Sequence, residues 1–195
     1  MTSSVVDPNR LATERRRVFL ALFSALAIAL HTIEFLLPSP TPWFRLGLAN
    51  IFALIALFLY DGRAAWSVTL TRIVVSSLFL GTFISPRFFL SLSGGVLATL
   101  AMITGRKLAG ERIGAVGVSV LGAAGHTFGQ MICAWLLLVR HDGLWYLLPI
   151  LLLMAVVAGV INGFVADALL RSLRRHPAFA EPADETGSVA DKNDL

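Results

Sequence analysis

Strongly polar side chains occur at a few separate points within or beside apolar stretches of this sequence. Arg45 and Asn50 flank the start of one stretch, and Arg72 lies inside the next. His126 and Gln130 stand four residues apart, so on a helix they share one face. In hydrocarbon such groups are costly unless they pair or contact a ligand, which makes each a candidate binding residue. The arginines favour an anionic or carboxylate-bearing ligand, because guanidinium groups bind such oxygens strongly.

Each of these polar groups also has a purely structural interpretation. Glu34 is the leading candidate counter-ion for Arg72, so an ion pair between them is the alternative to ligand binding by both residues. For His126 and Gln130 the alternative is an interhelical hydrogen bond, since polar groups within a membrane bundle seek partners. The residue types alone leave both interpretations open.

Two hydroxyl groups and a glycine pair follow one another closely in the stretch Leu90-Ser-Leu-Ser-Gly-Gly95. Ser91 and Ser93 are candidate ligand contacts. The glycines suit a close helix contact, and they equally suit a helix interruption whose freed backbone groups meet a ligand.

Residue patterns typical of catalysis are missing from the sequence. It has no glycine-rich phosphate loop, and its aspartates are isolated instead of forming a magnesium-binding cluster. No second histidine or carboxylate stands at metal-ligand spacing beside His126. Cys133, the single cysteine, has no partner for an internal disulfide and is predicted to be a buried core residue. We therefore predict a protein that is not an enzyme and has no catalytic residues, metal site or cofactor.

The elements that must position these residues are membrane helices. The 195 residues are 56% hydrophobic and 14% charged, with a mean hydropathy of +0.77, whereas soluble domains carry about 25% charged residues. The second and fourth apolar runs are short for a span and are predicted to be tilted, broken or re-entrant. The fold class is therefore an all-α integral membrane protein with six transmembrane helices. The apolar runs cover residues 18–37, 46–60, 64–82, 88–104, 114–138 and 144–170.

Basic residues predict how the helices are oriented. If both termini lie on one side, that side carries 12 of the 16 lysines and arginines, which places both termini in the cytoplasm and the protein in the cell (inner) membrane. Residues 1–17 form a basic cytoplasmic segment, 18–170 the six-helix transmembrane domain, and 171–195 a cytoplasmic tail with the composition of a disordered segment. The basic runs adjoin apolar segments, so they are topology determinants and do not indicate nucleic-acid binding.

Small residues recur along the first apolar run. Ala21, Ala25 and Ala29 are four residues apart, and small residues at this spacing let another helix approach closely. They predict either packing inside the bundle or a docking face for a separate membrane subunit.

Taken together, these motifs resemble the Gx transporter family, also described as heptaprenyl diphosphate synthase component I. The resemblance covers about residues 18–170 and rests on the segments 45–50, 90–95 and 125–130 together with Arg72. The family is similar to the S components of energy-coupling factor vitamin transporters, which are six-helix proteins that capture substrate from outside. The resemblance implies an S-component-like bundle. It also implies that Ala21, Ala25 and Ala29 dock on a transmembrane coupling subunit driven by ATPases.

The leading hypothesis is a substrate-binding subunit for uptake of a small anionic or vitamin-like molecule. Arg45 and Arg72 would hold the anionic group, and the remaining polar contacts would come from Asn50, Ser91, Ser93, His126 and Gln130, with Glu34 beside them. The alternative is a non-catalytic membrane component associated with a heptaprenyl or other polyprenyl diphosphate synthase. A stand-alone carrier is a third interpretation, against which the sequence shows no obvious inverted repeat.

Overall fold

The computed structural model describes residues 8–36 and 47–176, without the side chains of residues 8, 9 and 111. Within these ranges the chain is helical and contains no strand, which confirms the all-α prediction. A 3₁₀ turn follows α4, a π-helical turn extends α5, and a 3₁₀ segment leads into α6. The six α-helices are α1 (Pro8–Leu36), α2 (Asn50–Leu59), α3 (Gly62–Phe79), α4 (Pro86–Ala109), α5 (Ala115–Ala134) and α6 (Leu148–Arg175).

Among the residues that the structure describes, four stretches are long and apolar enough to cross a membrane: Arg10–Leu36, Pro86–Ala109, Ala115–Val139 and Asp142–Arg175. The second of these stretches is α4, and it contradicts the prediction that the fourth apolar run is too short for a continuous span. α4 is continuous over 24 residues, about 36 Å at helical rise, so it is neither short nor broken. The predicted run was shorter because it stopped before the basic last turn of the helix. The predicted second run does correspond to a short helix, α2.

α2 is the central element of the bundle. It has ten residues, about 15 Å, and it contacts all five other helices. Six of its side chains are buried, and between apolar helices such residues stabilise the bundle through close van der Waals packing. The buried residues are Ile51, Ala53, Leu54, Ile55, Ala56 and Leu57.

The C-terminal end of α2 has no basic residue in its own last turn, and arginines from other helices approach it instead. The Arg106 guanidinium of α4 lies 3.9 Å from the centre of the Phe58 ring. Arg174 Nη2 of α6 donates to the Phe58 carbonyl at 3.5 Å. Cations near exposed helix carbonyls are favourable. We call this end of the bundle, where Arg106 and Arg174 lie, the basic end.

Asp61 joins the connection between α2 and α3 to the beginning of α1. Its Oδ1 accepts a hydrogen bond from the Ala64 amide at 2.7 Å and so caps α3. Its Oδ2 accepts one from Arg16 Nη2 at 2.7 Å, and both side chains are more than a third exposed. Partial burial alone would raise the pKa of the Asp61 carboxyl, but these hydrogen bonds and the Arg16 charge bring it below its ordinary value.

Replacing Asp61 should show the two roles separately. Asp61→Ala removes the cap and the ion pair, and a lost cap typically costs about 1 kcal/mol. Asp61→Asn keeps a capping oxygen and loses only an exposed pair, worth roughly 0–1 kcal/mol. We therefore expect thermal unfolding of the purified protein to shift to lower temperature more for D61A than for D61N. Equal shifts would contradict the capping role.

The same residue predicts a pH dependence. Because the pKa of the Asp61 carboxyl is lower in the folded than in the unfolded protein, its stabilisation is complete above the ordinary aspartate range. It is lost as the pH falls through the folded value. The difference in unfolding temperature between the wild type and D61A should therefore shrink on acidification. A difference that stays constant with pH would refute this pH dependence.

Candidate ligand-binding site

A cavity of about 230 Å³ lies between α2, α4, α5 and α6. Its wall includes four of the residues predicted from the sequence: Asn50, Ser91, His126 and Gln130. They come from three different helices, so tertiary packing brings them together. The remaining wall is mainly apolar, which is the usual character of a small-molecule site with a few polar groups.

The cavity is elongated along the helix axes. On α5 its lining residues run from Ser119 to Ala134, fifteen residues or about 22 Å. On α4 they run from Pro86 to Met102, which gives a similar length. One end therefore lies where α4 begins, opposite the basic end, and the other reaches well into the bundle.

Polar groups concentrate toward the end where α4 begins. Asn50 stands at the start of α2, Arg87 and Ser91 on the first turns of α4, and His126 and Gln130 face α4 from α5. We call these five residues the polar collar. They offer one guanidinium, an imidazole, two amides and a hydroxyl, a set that suits binding of anionic or carboxylate oxygens.

Glycines explain why α4 and α5 present these groups at such close range. A Cβ on Gly94 would lie 2.8 Å from His126 Cε1 and 2.9 Å from Gln130 Cγ. A Cβ on Gly129 would lie 2.5 Å from the Ser93 carbonyl oxygen. The glycine pair of α4 therefore serves a close helix contact. The alternative of a helix interruption is wrong, because α4 is unbroken at this point.

Ser93 and Glu34 are not part of this cavity wall. Ser93 does not line the cavity, and its Oγ donates to the Leu90 carbonyl of its own helix at 3.1 Å. Glu34 does not line it either. Its Oε1 accepts a hydrogen bond from the Leu48 amide at 2.9 Å, two residues before α2 begins. Glu34 thereby holds the backbone that leads into the collar.

Arg72 is buried, at 4% exposure, but it is not part of the cavity wall. It lies behind α4, where its Nη2 would be 3.7 Å from a Cβ on Gly95. Nearby, Thr69 and Thr99 share a buried hydrogen bond of 3.0 Å between α3 and α4. The predicted depth of Arg72 thus agrees with its burial, whereas contact with a ligand stays a prediction. Arg45 lies outside the described residues.

Arg87 was not selected as a site residue from the sequence, although with Arg45 and Arg72 it is one of three arginines whose position favours an anionic ligand. Its guanidinium lies 4.7 Å from the centre of the Phe35 ring of α1, within cation–π range. It lines the cavity and also a small crevice beside His31 and Ser76. The available indication was an arginine on the side that basic residues normally avoid. Thr127, Ser119 and Asn162 also line the cavity and were not selected.

The three alanines predicted as a docking face are all exposed on α1. The opposite face of the helix is buried against the bundle through Phe23 and Ala27, at 3% and 0% exposure. The alanines are therefore not buried by the part of the chain that the structure describes. They are Ala21, Ala25 and Ala29.

Comparison with known families connects this architecture to a family description. The protein-family model described as heptaprenyl diphosphate synthase component I matches residues 23–169. The matched range contains every residue that lines the cavity, and the match confirms the family expected from the motifs. No curated protein and no solved structure matches the chain.

Two glycine substitutions should separate stability from the shape of the collar. Gly129→Ala places a methyl group against the Ser93 backbone, which cannot rotate away. Overpacking of this kind costs roughly 1–3 kcal/mol and outweighs the helix-propensity gain of about 1 kcal/mol. The atoms nearest to a Cβ on Gly94 belong to the side chains of His126 and Gln130, which can move.

We therefore expect G129A to lower the thermal unfolding midpoint of the purified protein clearly. G94A should retain most of the stability and displace the two collar side chains. A G129A protein as stable as the wild type would contradict the close approach of α4 and α5.

Proposed function

This chain belongs to the heptaprenyl diphosphate synthase component I family, and we propose that it is a membrane subunit that binds a small anionic or vitamin-like molecule for uptake. The single observation that carries the proposal is the elongated cavity with the polar collar at one end. A cavity that combines apolar walls with a few convergent polar groups is what a binding protein needs.

Arg87 supports an anionic substrate. It is exposed, it stands at the first turn of α4 and it contributes the guanidinium of the collar. The N-terminal end of a helix adds a partial positive charge to the same place. Asn50 and Gln130 add amide groups that donate hydrogen bonds to anionic oxygens. Arg45, which leads toward Asn50 in the sequence, is a further proposed contact.

In the proposed topology all six helices form the membrane domain and both termini are cytoplasmic. The excess of lysine and arginine at one end supports it. Arg16, Arg106 and Arg174, from three different helices, gather around the inner end of α2 and its following turn. The collar then lies toward the outer surface of the cell (inner) membrane, as capture from outside requires.

The exposed alanine face of α1 supports docking on a separate transmembrane coupling subunit with ATPases. Helices in lipid associate through small residues that let backbones approach closely. Ala21, Ala25 and Ala29 form such a face, which the described helices leave exposed. The ATPases of the coupling subunit would supply the energy for uptake. In this respect the protein would work as an S component does.

The family description favours a second candidate function, a non-catalytic membrane component associated with a polyprenyl diphosphate synthase. Co-purification from native membranes separates the two. A coupling subunit with ATPases would support uptake, whereas a soluble synthase rich in aspartate would support the alternative.

Arg87→Ala should weaken retention of the natural ligand. Hydrogen bonds to charged groups are worth about 1.5–3 kcal/mol, so we expect affinity to fall roughly 10- to 100-fold. Native mass spectrometry of the purified protein measures the fraction that carries a small molecule. Arg63→Ala is the matched control, because it removes an equally exposed arginine at the opposite end of the bundle. Unchanged occupancy in R87A would refute the role of this residue.

Ala25→Leu should disrupt docking by filling the groove that small residues leave on α1. Ala168→Leu on α6 is the control, since Ala168 is also an exposed helical alanine. We expect A25L to lose the coupling subunit during co-purification and A168L to keep it. If both variants retain the subunit equally, this face is not the docking surface.

A further inference from the structure

The deep end of the cavity is polar. Ser119 of α5 and Asn162 of α6 line it, at 8% and 6% exposure, together with Met102 of α4. Among the residues that the structure describes there, none carries a full charge. The polar collar therefore has a counterpart at the far end, built from a hydroxyl and an amide.

Close packing of α5 and α6 brings these two residues to a similar depth in the bundle. A Cβ on Gly163 would lie 2.5 Å from Val116 Cα and 3.1 Å from Ser119 Cβ. Asn162 precedes this glycine, so the near contact of the helices brings its backbone to the level of Ser119. We call Ser119 and Asn162 the inner polar pair.

The distance between the two polar regions follows from the helix itself. On α5, Ser119 lies seven residues from His126 and eleven from Gln130, which is about 10 Å and 16 Å. The wall between them is formed by Leu54, Gly122, Ala123, Ala155 and Ala158. This middle section offers only carbon surface and backbone to a bound molecule.

The inner polar pair offers a bound molecule hydrogen-bonding groups at the deep end of the cavity. A few polar groups placed in a mainly apolar pocket fix the orientation of a ligand. A ligand whose far end carries a matching polar group is therefore favoured over one that ends in hydrocarbon. Ser119 can accept or donate one hydrogen bond, and the Asn162 amide offers both functions.

We propose that the substrate is an elongated molecule with an anionic group at the polar collar and a second, uncharged hydrogen-bonding group at the inner polar pair. An apolar segment joins the two across roughly 10–16 Å. The inference rests on the proposed binding function and specifies its substrate class. A hydroxyl, amide or ureido group at the far end satisfies the chemistry of Ser119 and Asn162.

Two matched probes test the proposal: octanoate and ω-hydroxyoctanoate, which differ only at the end remote from the carboxylate. Isothermal titration of the full-length protein in lipid nanodiscs, with empty nanodiscs as blank, gives both affinities. One additional neutral hydrogen bond is worth about 1 kcal/mol, so the hydroxylated probe should bind the wild type about fivefold more tightly.

Variants locate that preference within the cavity. Asn162→Leu keeps the approximate volume and removes the amide, and Ser119→Ala is the milder second variant in case N162L folds poorly. We expect either to bring the two affinities close together. Asn50→Leu applies the same substitution as N162L at the collar, so it should weaken both probes while preserving their ratio.

Equal affinities of the two probes in the wild type, or a preference that survives in both N162L and S119A, would overturn the proposal. If neither probe binds the wild type, the proposal is also overturned. Native mass spectrometry then reports separately on the broader function. If the wild type retains a small molecule that R87A loses, ligand capture stands and only the elongated substrate class fails.

Discussion

The short α2 is the constraint on which the rest of the structure depends. A helix of about 15 Å cannot cross roughly 30 Å of hydrocarbon, so both of its ends must find polar partners inside the protein. Just before the first turn of α2, the Leu48 amide donates a hydrogen bond to the Glu34 carboxylate. In the last turn of α2, the Phe58 carbonyl accepts a hydrogen bond from Arg174. Five helices surround α2, and the cavity begins beside its first residue, Asn50.

The other walls are set by contacts between helix backbones. Gly129 lets α5 approach α4, and Gly163 lets α6 approach α5. Both contacts fix side chains that face the cavity, His126 and Gln130 at one end and Asn162 at the other. Sites built on helices hold their groups more precisely than sites on loops. The same small residues therefore determine the packing of the bundle and the spacing of its two polar regions.

The sequence was sufficient for the all-helical fold, for the short second helix and for four residues of the cavity wall, because composition and helical spacing determine these features. Spacing also explains why only one of the two serines lines the cavity. Ser91 and Ser93 are two positions apart and point to different sides of a helix, so they could not both line one cavity. The burial of Arg72 followed from its depth, but the side of α4 on which it lies depends on helix rotation. Such rotation is decided by tertiary contacts such as Thr69 with Thr99.

α1 connects the two surfaces that the proposed function requires. One face carries the exposed alanines around Ala25, and its last turns carry Glu34, which holds the backbone leading into α2. Phe35, the next residue, lies under the Arg87 guanidinium of the collar. A partner that displaced α1 would therefore act on one contact of the collar, that of Phe35 with Arg87, and on the hydrogen bond from the Leu48 amide to Glu34 beside it. In the proposed uptake complex these contacts of α1 would connect the proposed docking face to the collar.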